Sequence, residues 1–485
     1  MDVSESELVR TFTSVDTDDN GRIWAWELLA KLGQTGIQPE DPRVRAALAA
    51  VPGADGRIAG ARAGIRVDAQ PVEMSLREFA GIAQYGDGLV YRALAGELAV
   101  PTDEFREYVR GIEAMYADLL PNRDGEVADY IPTLRDADPE RFGIAICTAD
   151  GQTFSIGDTA DEFSVQSTSK PFNYAIALEQ LGPEEVHRWV GQEQSGGPFN
   201  DPALSLGRDG RPRNPMINAG AIGTLALVDT GKDQSDRFTT VRDTWAAMTG
   251  KRPQLHGATF LAERDTGFGN VRFANGLMQT NKLRGARPTD RRAPEDAVEF
   301  YTMVCSLTMD AEQLAKAGAT LANGGVAPSG VRVFSPETAG RVLAVMGHSG
   351  MYDGSGEFSD QVGLPAKSGV SGNLMMVVPS KGLAVVTYSP RLDPTGNSVR
   401  GVEVCKRFVN EFGLHPYRDL GGTGRQLAGA LNEADRRAEA ASAADRALAG
   451  LARPGTAAPA TSATQNAERT GAVPTRHPTQ PAHQL

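Results

Sequence analysis

Strand-forming sequence in the middle of this chain is confined to two places, and that confinement limits the folds open to it. Residues 142–148 alternate apolar positions, Ala149, Asp150 and Gly151 form a turn signal, and residues 152–156 resume the strand pattern. The second run lies far downstream: residues 373–379, a turn at Ser380, Lys381 and Gly382, then residues 383–389. Between the two hairpins the pattern is mostly helical, as in Pro171–Leu181 and Ala297–Leu307. The expectation is an α+β region: one antiparallel sheet built from the two ends of the region and covered by helices.

Composition divides the rest. Residues 1–103 are polar and helix-patterned, and residues 104–417 hold both hairpins. Residues 418–451 form an Ala-rich segment with Arg, Glu and Leu at helical spacing. Residues 452–485 contain Pro454, Pro459, Pro474, Pro478 and Pro481 and no aromatic residue, so burial there cannot offset ordering entropy and a disordered tail is expected. Asp and Glu number 61 against 49 Lys and Arg, a net charge of −12. Such a chain is a poor ligand for polyanions, which argues against nucleic acid and anionic membranes as partners. No apolar run approaches the ~18 residues of a membrane helix. The first residues are neither basic nor apolar, so no signal peptide is expected. Cys147, Cys305 and Cys405 are scattered in apolar surroundings, which reads as buried thiols in a reducing compartment, the cytoplasm.

The polar N-terminal region contains one loop of definite chemistry. Asp16, Asp18 and Asn20 fall at the first, third and fifth positions of an EF-hand loop, with Gly21 at the turn. The Arg22 carbonyl serves the seventh position and Glu27 the twelfth. Hard oxygen donors on a tight loop suit Ca²⁺, and the alternative is a hand that keeps its fold without metal. Trp24 at the ninth position favours weaker binding. Helices are expected over residues 5–14 and 26–32, giving an all-α EF-hand-like domain. EF-hands pair, and a silent partner is expected within residues 50–85 from the fragments Ala54–Ile58 and Met74–Phe79.

No His sits in a zinc or Ser-His-Asp pattern. Ser167 and Lys170, three apart at a helix start, lie on one face one turn apart. A desolvated Lys amine there can take the hydroxyl proton and make Ser167 a nucleophile. Alone this pair is weak, because Ser-x-x-Lys arises by chance about once or twice in a chain this long. Lys367-Ser368-Gly369, just before the second hairpin, strengthens it. Ser-x-x-Lys beside a Lys-Ser/Thr-Gly strand is the arrangement of serine β-lactamases and penicillin-binding proteins. In that arrangement the N–H groups of Val370 and Ser167 form the oxyanion hole. Lys367, a second cation, would help burial to lower the pKa of Lys170.

The wider context carries a family resemblance. The segments around Asp129–Leu134, Val165–Lys170, Asn214–Ile222, Glu263–Asn270, Glu299–Tyr301, Gly350–Gly356 and Gly363–Val370 together resemble the serine-dependent, β-lactamase-like glutaminases. Residues 35–43 are similar to the EF-hand-like regulatory region of the animal kidney-type enzymes, whose ankyrin repeats have no counterpart here. The resemblance implies a β-lactamase/penicillin-binding-protein-like α+β fold and hydrolysis of L-glutamine to L-glutamate and ammonia, with no cofactor for catalysis. It implies Ser167 as nucleophile, Lys170 as base and Tyr352 as proton relay. It assigns the substrate's ammonium to Glu263 and its polar head to Tyr130, Asn218, Asn270 and Tyr301. It also implies a homo-oligomer, a dimer or tetramer. Two readings compete: a β-lactam-binding acyltransferase, and a Ca²⁺ sensor with an inactive catalytic region. The first would place a Ser-Asp-Asn element near Asn214–Asn218, and the second would lack an intact Ser167, Lys170 and Tyr352 set.

Overall fold

The structure, a computed structural model, describes residues 3–50, 73–195, 205–287 and 289–418. Helix Glu5–Val15 opens on a reciprocal cap between Ser4 and Glu7. The acidic loop leads into strand β1 (Ile23–Trp24) and helix Ala25–Gln34. Helix Pro42–Ala49, strand β2 (Glu73–Met74) and helix Leu76–Ala83 form a second unit of the same kind. β1 and β2 pair antiparallel with Ile23 opposite Met74, so the acidic loop has a structural partner. Leu8, Phe12, Leu28, Leu32, Val44 and Phe79 share one core. The fragment Met74–Phe79 appears as β2 and a capped helix start, whereas Ala54–Ile58 lies outside the described residues.

The two sequence hairpins appear as β3 (Gly143–Thr148) with β4 (Thr153–Gly157), and as the last two strands among the described residues. Between them β5 (Phe163–Ser164), β6 (Gln254–Leu255) and β7 (Leu307–Met309) form a small sheet in the order β5-β7-β6. β8 (Ala366–Ser368), β9 (Asn373–Val378) and β10 (Leu383–Tyr388) follow. The main sheet has the order β4-β3-β10-β9-β8, antiparallel throughout, with Val385 of β10 opposite both Ile146 and Met376. The ends of the region therefore meet in one sheet, as expected from where the strands fall in the sequence.

Helices cover both faces of that sheet, and every residue of β3, β9 and β10 is buried. Ile144, Ile146, Met376 and Val385 pack on one side with helices Thr102–Leu119 and Val399–Glu411. Ala145, Cys147, Met375 and Val377 pack on the other with helix Ala311–Ala322. Two-sided cover explains why residues 374–378 read as a continuous apolar run instead of an alternation. Gly318 lets that helix lie against β10, since a Cβ there would come within 2.6 Å of the Ala384 Cβ. Helix Lys170–Val186 is wholly buried from Lys170 to Leu178, and Gly182 with Pro183 kinks it.

The described residues up to Leu414 form one compact unit that includes the N-terminal hands. The backbone at Ile37 bridges Gln152 at the tip of the β3–β4 hairpin, and Thr153 N–H donates to Gly36 O at 2.9 Å. The buried Gln152 amide donates to Thr35 O at 2.8 Å. Asp150, in the same turn, accepts from Arg92 and from Ala99 N–H. Beyond Arg418, the Ala-rich segment and the tail lie outside the described residues. The three cysteines are free and buried.

Replacing Gln152 with Ala leaves the buried Thr35 carbonyl without its partner. An unfulfilled buried acceptor costs about 1–3 kcal/mol. Urea unfolding of Gln152→Ala is expected to show a lower midpoint with an unchanged slope; an unchanged midpoint would show that this bond adds nothing to the junction.

Candidate active site

The site is assembled where β5 runs into the buried helix. Val165 N–H donates to Leu307 O at 2.8 Å, and Gln166 takes a left-handed backbone, φ +46°. A non-glycine residue held there stores about 1–3 kcal/mol of strain. The following 3₁₀ turn, Gln166–Ser169, delivers Ser167 one turn ahead of Lys170. Lys170 Nζ lies 2.7 Å from Ser167 Oγ and 2.7 Å from Asn218 Oδ1. Only 1% of Lys170 is exposed. Burial lowers its pKa to about 8, against the opposing pull of Cys305 and Glu263.

Lys367 is a fully buried residue of β8, not a surface cation. Its amine donates to Gly350 O and Ser368 O, both at 2.9 Å, and sits 4.3 Å from the centre of the Tyr352 ring. Burial, and then repulsion from Lys170, push its pKa well below the usual lysine value. For Lys170 burial is the leading depressing cause. Tyr352 also has a left-handed backbone, φ +51°. Its hydroxyl donates to Ser368 O at 3.1 Å, and burial raises its pKa while a hydrogen bond with Ser167 opposes the rise.

Around this pair lies a chain of polar side chains. Asn218 Nδ2 donates to Asn270 Oδ1 at 3.1 Å, and Tyr301 OH donates to Asn218 Oδ1 at 3.2 Å. Glu263 Oε1 accepts from Tyr130 OH at 2.7 Å and from Gln166 Nε2 at 2.9 Å. Burial raises the pKa of that carboxyl, and a cation bound beside it would favour its charged form. Val370 packs with Tyr130 and Tyr352. Among the described residues, the N–H groups of Ser167 and Val370 donate to no other protein group. The structure thus places Tyr130, Ser167, Lys170, Asn218, Glu263, Asn270, Tyr301, Tyr352 and Val370 together.

Two neighbours went unassigned in the sequence. Gln166 holds Glu263, and its only mark in the chain is its place before the serine. Cys305, read as a structural thiol, is hydrogen-bonded with Tyr301 and Ser169, and burial raises its pKa to about 12. It forms a neutral part of the wall.

The arrangement has the parts of an acyl-transfer centre: a nucleophile with an adjacent amine, two free N–H donors, and a carboxylate able to hold an ammonium. Matching against family models finds the glutaminase family over residues 125–417 and an EF-hand domain over residues 9–101. This chain belongs to the glutaminase family. The family comprises amidohydrolases acting on glutamine. A putative glutaminase 2 of Caenorhabditis elegans is 36% identical over 393 residues, covering 81% of this chain and 63% of its own length. A glutaminase of Microcystis aeruginosa is 41% identical over 327 residues, covering 65% and 92%. A solved structure described as a probable glutaminase, ybaS, aligns at a TM-score of 0.61 with 33% identity, over 64% of this chain and 99% of its own. The chain thus spans just under two thirds of the nematode relative.

The EF-hand loop has hard oxygen donors, but they are engaged with the loop itself. Asp16 accepts from the N–H groups of Asn20 and Gly21, and Gly21 has φ +77°. Asn20 Oδ1 accepts from Arg22 N–H. Glu27 is buried; it accepts from Trp24 N–H at 2.8 Å and from Thr17. Among the described residues, no three carboxylate, imidazole or thiol side chains converge as a metal cage. The donor types fit a hard cation, and Glu27 would exchange its present partners for it.

The pH dependence follows from Lys170. An amine serving as base must be neutral, and with a pKa of about 8 the neutral fraction of Lys170 is small near pH 6 and grows as pH rises. The second-order rate of Ser167 modification by a glutamine-like electrophile is expected to rise nearly tenfold per pH unit below about pH 7.5, then level off. A flat profile across this range would remove Lys170 as the base.

Proposed function

We propose that this chain hydrolyses the side-chain amide of L-glutamine to L-glutamate and ammonia through an acyl-enzyme on Ser167. The observation that carries the reading is the 2.7 Å contact between the Lys170 amine and the Ser167 hydroxyl, both of them buried. Lys170 takes the hydroxyl proton as Ser167 Oγ bonds to the amide carbon. The oxyanion is held by the Ser167 and Val370 N–H groups. Collapse breaks the C–N bond, and the proton reaches the leaving nitrogen through Lys170 and Tyr352. Water then attacks the ester, gives its proton back along the same path, and frees the Ser167 hydroxyl. Glu263 receives the α-ammonium. Asn218, Asn270, Tyr130 and Tyr301 hydrogen-bond the rest of the polar head, so an analogue lacking those groups leaves buried partners unpaired. Family membership favours glutamine over a β-lactam.

The same reading assigns residues 1–103 to an EF-hand-like region that binds Ca²⁺ at Asp16, Asp18, Asn20, the Arg22 carbonyl and Glu27, and residues 104–417 to catalysis. The EF-hand match and the β1–β2 pairing support that assignment. A dimer or tetramer is carried over from the family resemblance. A reducing, cytoplasmic setting accords with three buried unpaired thiols. Among the described residues, no helix is long and apolar enough to cross a membrane.

Ser167→Ala and Lys170→Ala are each expected to lose nearly all ammonia release, and the double variant to be little worse than either, as for residues acting as one unit. Mass spectrometry after a glutamine-like diazoketone should find the adduct on Ser167. An adduct elsewhere, or a Ser167→Ala enzyme with near-normal turnover, would sink the acyl-enzyme.

Calorimetry should show Ca²⁺ binding with Kd on the order of 10⁻⁵ to 10⁻³ M. Trp24 and Trp26 fluorescence should follow it, and Glu27→Gln should remove both signals. Absence of heat and fluorescence change at millimolar Ca²⁺ would make the loop purely structural.

A further inference from the structure

The two N–H groups assigned to the oxyanion belong to segments far apart in sequence. Ser167 is in the turn that enters the buried helix, and Val370 follows β8. Among the described residues, no backbone–backbone hydrogen bond joins residues 164–169 to residues 366–373. Two side chains make the connection. Ser371 Oγ donates to Ser164 O at 2.6 Å. Asn373 Nδ2 donates to Val165 O at 3.2 Å and to Thr168 Oγ1 at 3.0 Å.

These ties bracket both donors. Ser164, Val165 and Thr168 flank Ser167 on one side of the gap; Ser371 and Asn373 follow Val370 on the other. The strand side is a closed turn, with Gly372 N–H donating to Gly369 O at 2.9 Å and Gly369 N–H to Asn373 O at 2.8 Å. Ser371 Oγ lies 3.1 Å from Asn373 Oδ1, so the two ties are coupled. The fit leaves no slack: a Cβ at Gly369 would fall 2.1 Å from Asn373 Oδ1 and 3.2 Å from Val165 O. Asn373 is fully buried and Ser371 nearly so.

We infer that Ser371 and Asn373 are positioning residues that set the separation of the Ser167 and Val370 N–H groups. The inference rests on the acyl-enzyme reading and adds to it. An oxyanion hole works only when both donors reach one oxygen at about 2.7–3.1 Å. A shift of about 1 Å in such a supporting element can cost on the order of a hundredfold in rate. Neither side chain belongs to the set that holds the substrate head, so their loss acts on the transition state and leaves ground-state binding in place.

The test compares Asn373→Ala and Ser371→Ala with the parent enzyme on glutamine. Each is expected to lower kcat on the order of 10- to 100-fold, with KM within about twofold. A boronic acid analogue of glutamate, which forms a tetrahedral adduct, should lose affinity in parallel with kcat, while affinity for the product glutamate stays unchanged. General loosening would weaken both ligands together, and that result would overturn the inference. So would kcat within about twofold of the parent in both variants. If Asn373→Ala does not fold, as its melting curve would show, Ser371→Ala carries the same expectation alone. Ser167→Ala separates the two levels: if it stays active the acyl-enzyme fails, and if it is dead while both tie variants turn over normally only the positioning role fails.

Discussion

The structure depends on one amine kept out of water. Lys170 is nearly inaccessible, and an ammonium there lacks the hydration that normally sustains its charge. That loss lowers its pKa to about 8 and gives a residue that is ordinarily a cation a larger neutral fraction. The Asn218 carbonyl and the Ser167 hydroxyl are its hydrogen-bond partners, and both are neutral. A carboxylate in direct contact would have raised the pKa again. Glu263, the acid of the site, instead bonds Tyr130 and Gln166, and its remaining effect on Lys170 is smaller than that of burial.

Excluding water from one side chain takes a large part of the fold. Lys170 begins a helix buried for its first nine residues, which requires layers on every side. Helices Asn218–Leu227, Gln234–Thr249 and Pro336–Ser349 pack along it, and β8 and β9 meet the turn that precedes it. Glycines bring the parts close enough: a Cβ at Gly350 would fall 1.8 Å from Ala366 O, and one at Gly220 would fall 1.7 Å from Asn214 O. Gln166 and Tyr352 hold left-handed backbones on either side of Ser167, a strain the surrounding packing has to sustain. The hands join the same unit through the β3–β4 turn, so helix Ala25–Gln34 runs from the acidic loop to within a residue of Thr35, whose carbonyl meets Gln152.

The sequence by itself determined the local pieces. Both hairpins, the helix after Ser167, the spacing of Ser167 and Lys170, and the order of donors from Asp16 to Glu27 are short-range patterns, legible because backbone geometry repeats over a few residues. The polar set around Glu263 was legible only as a family resemblance, since single Asn and Tyr residues carry no role of their own. Tertiary structure decided what depends on contacts between distant segments. It buried Lys367 and depressed its pKa, because β8 lies against the Tyr352 ring. It recruited Gln166 to Glu263 and brought Ser371 and Asn373 onto the turn that carries Ser167. The reason is physical: hydrogen-bonding type is written in each residue, but burial and partner are properties of the space between residues, and that space exists only once the chain has closed on itself.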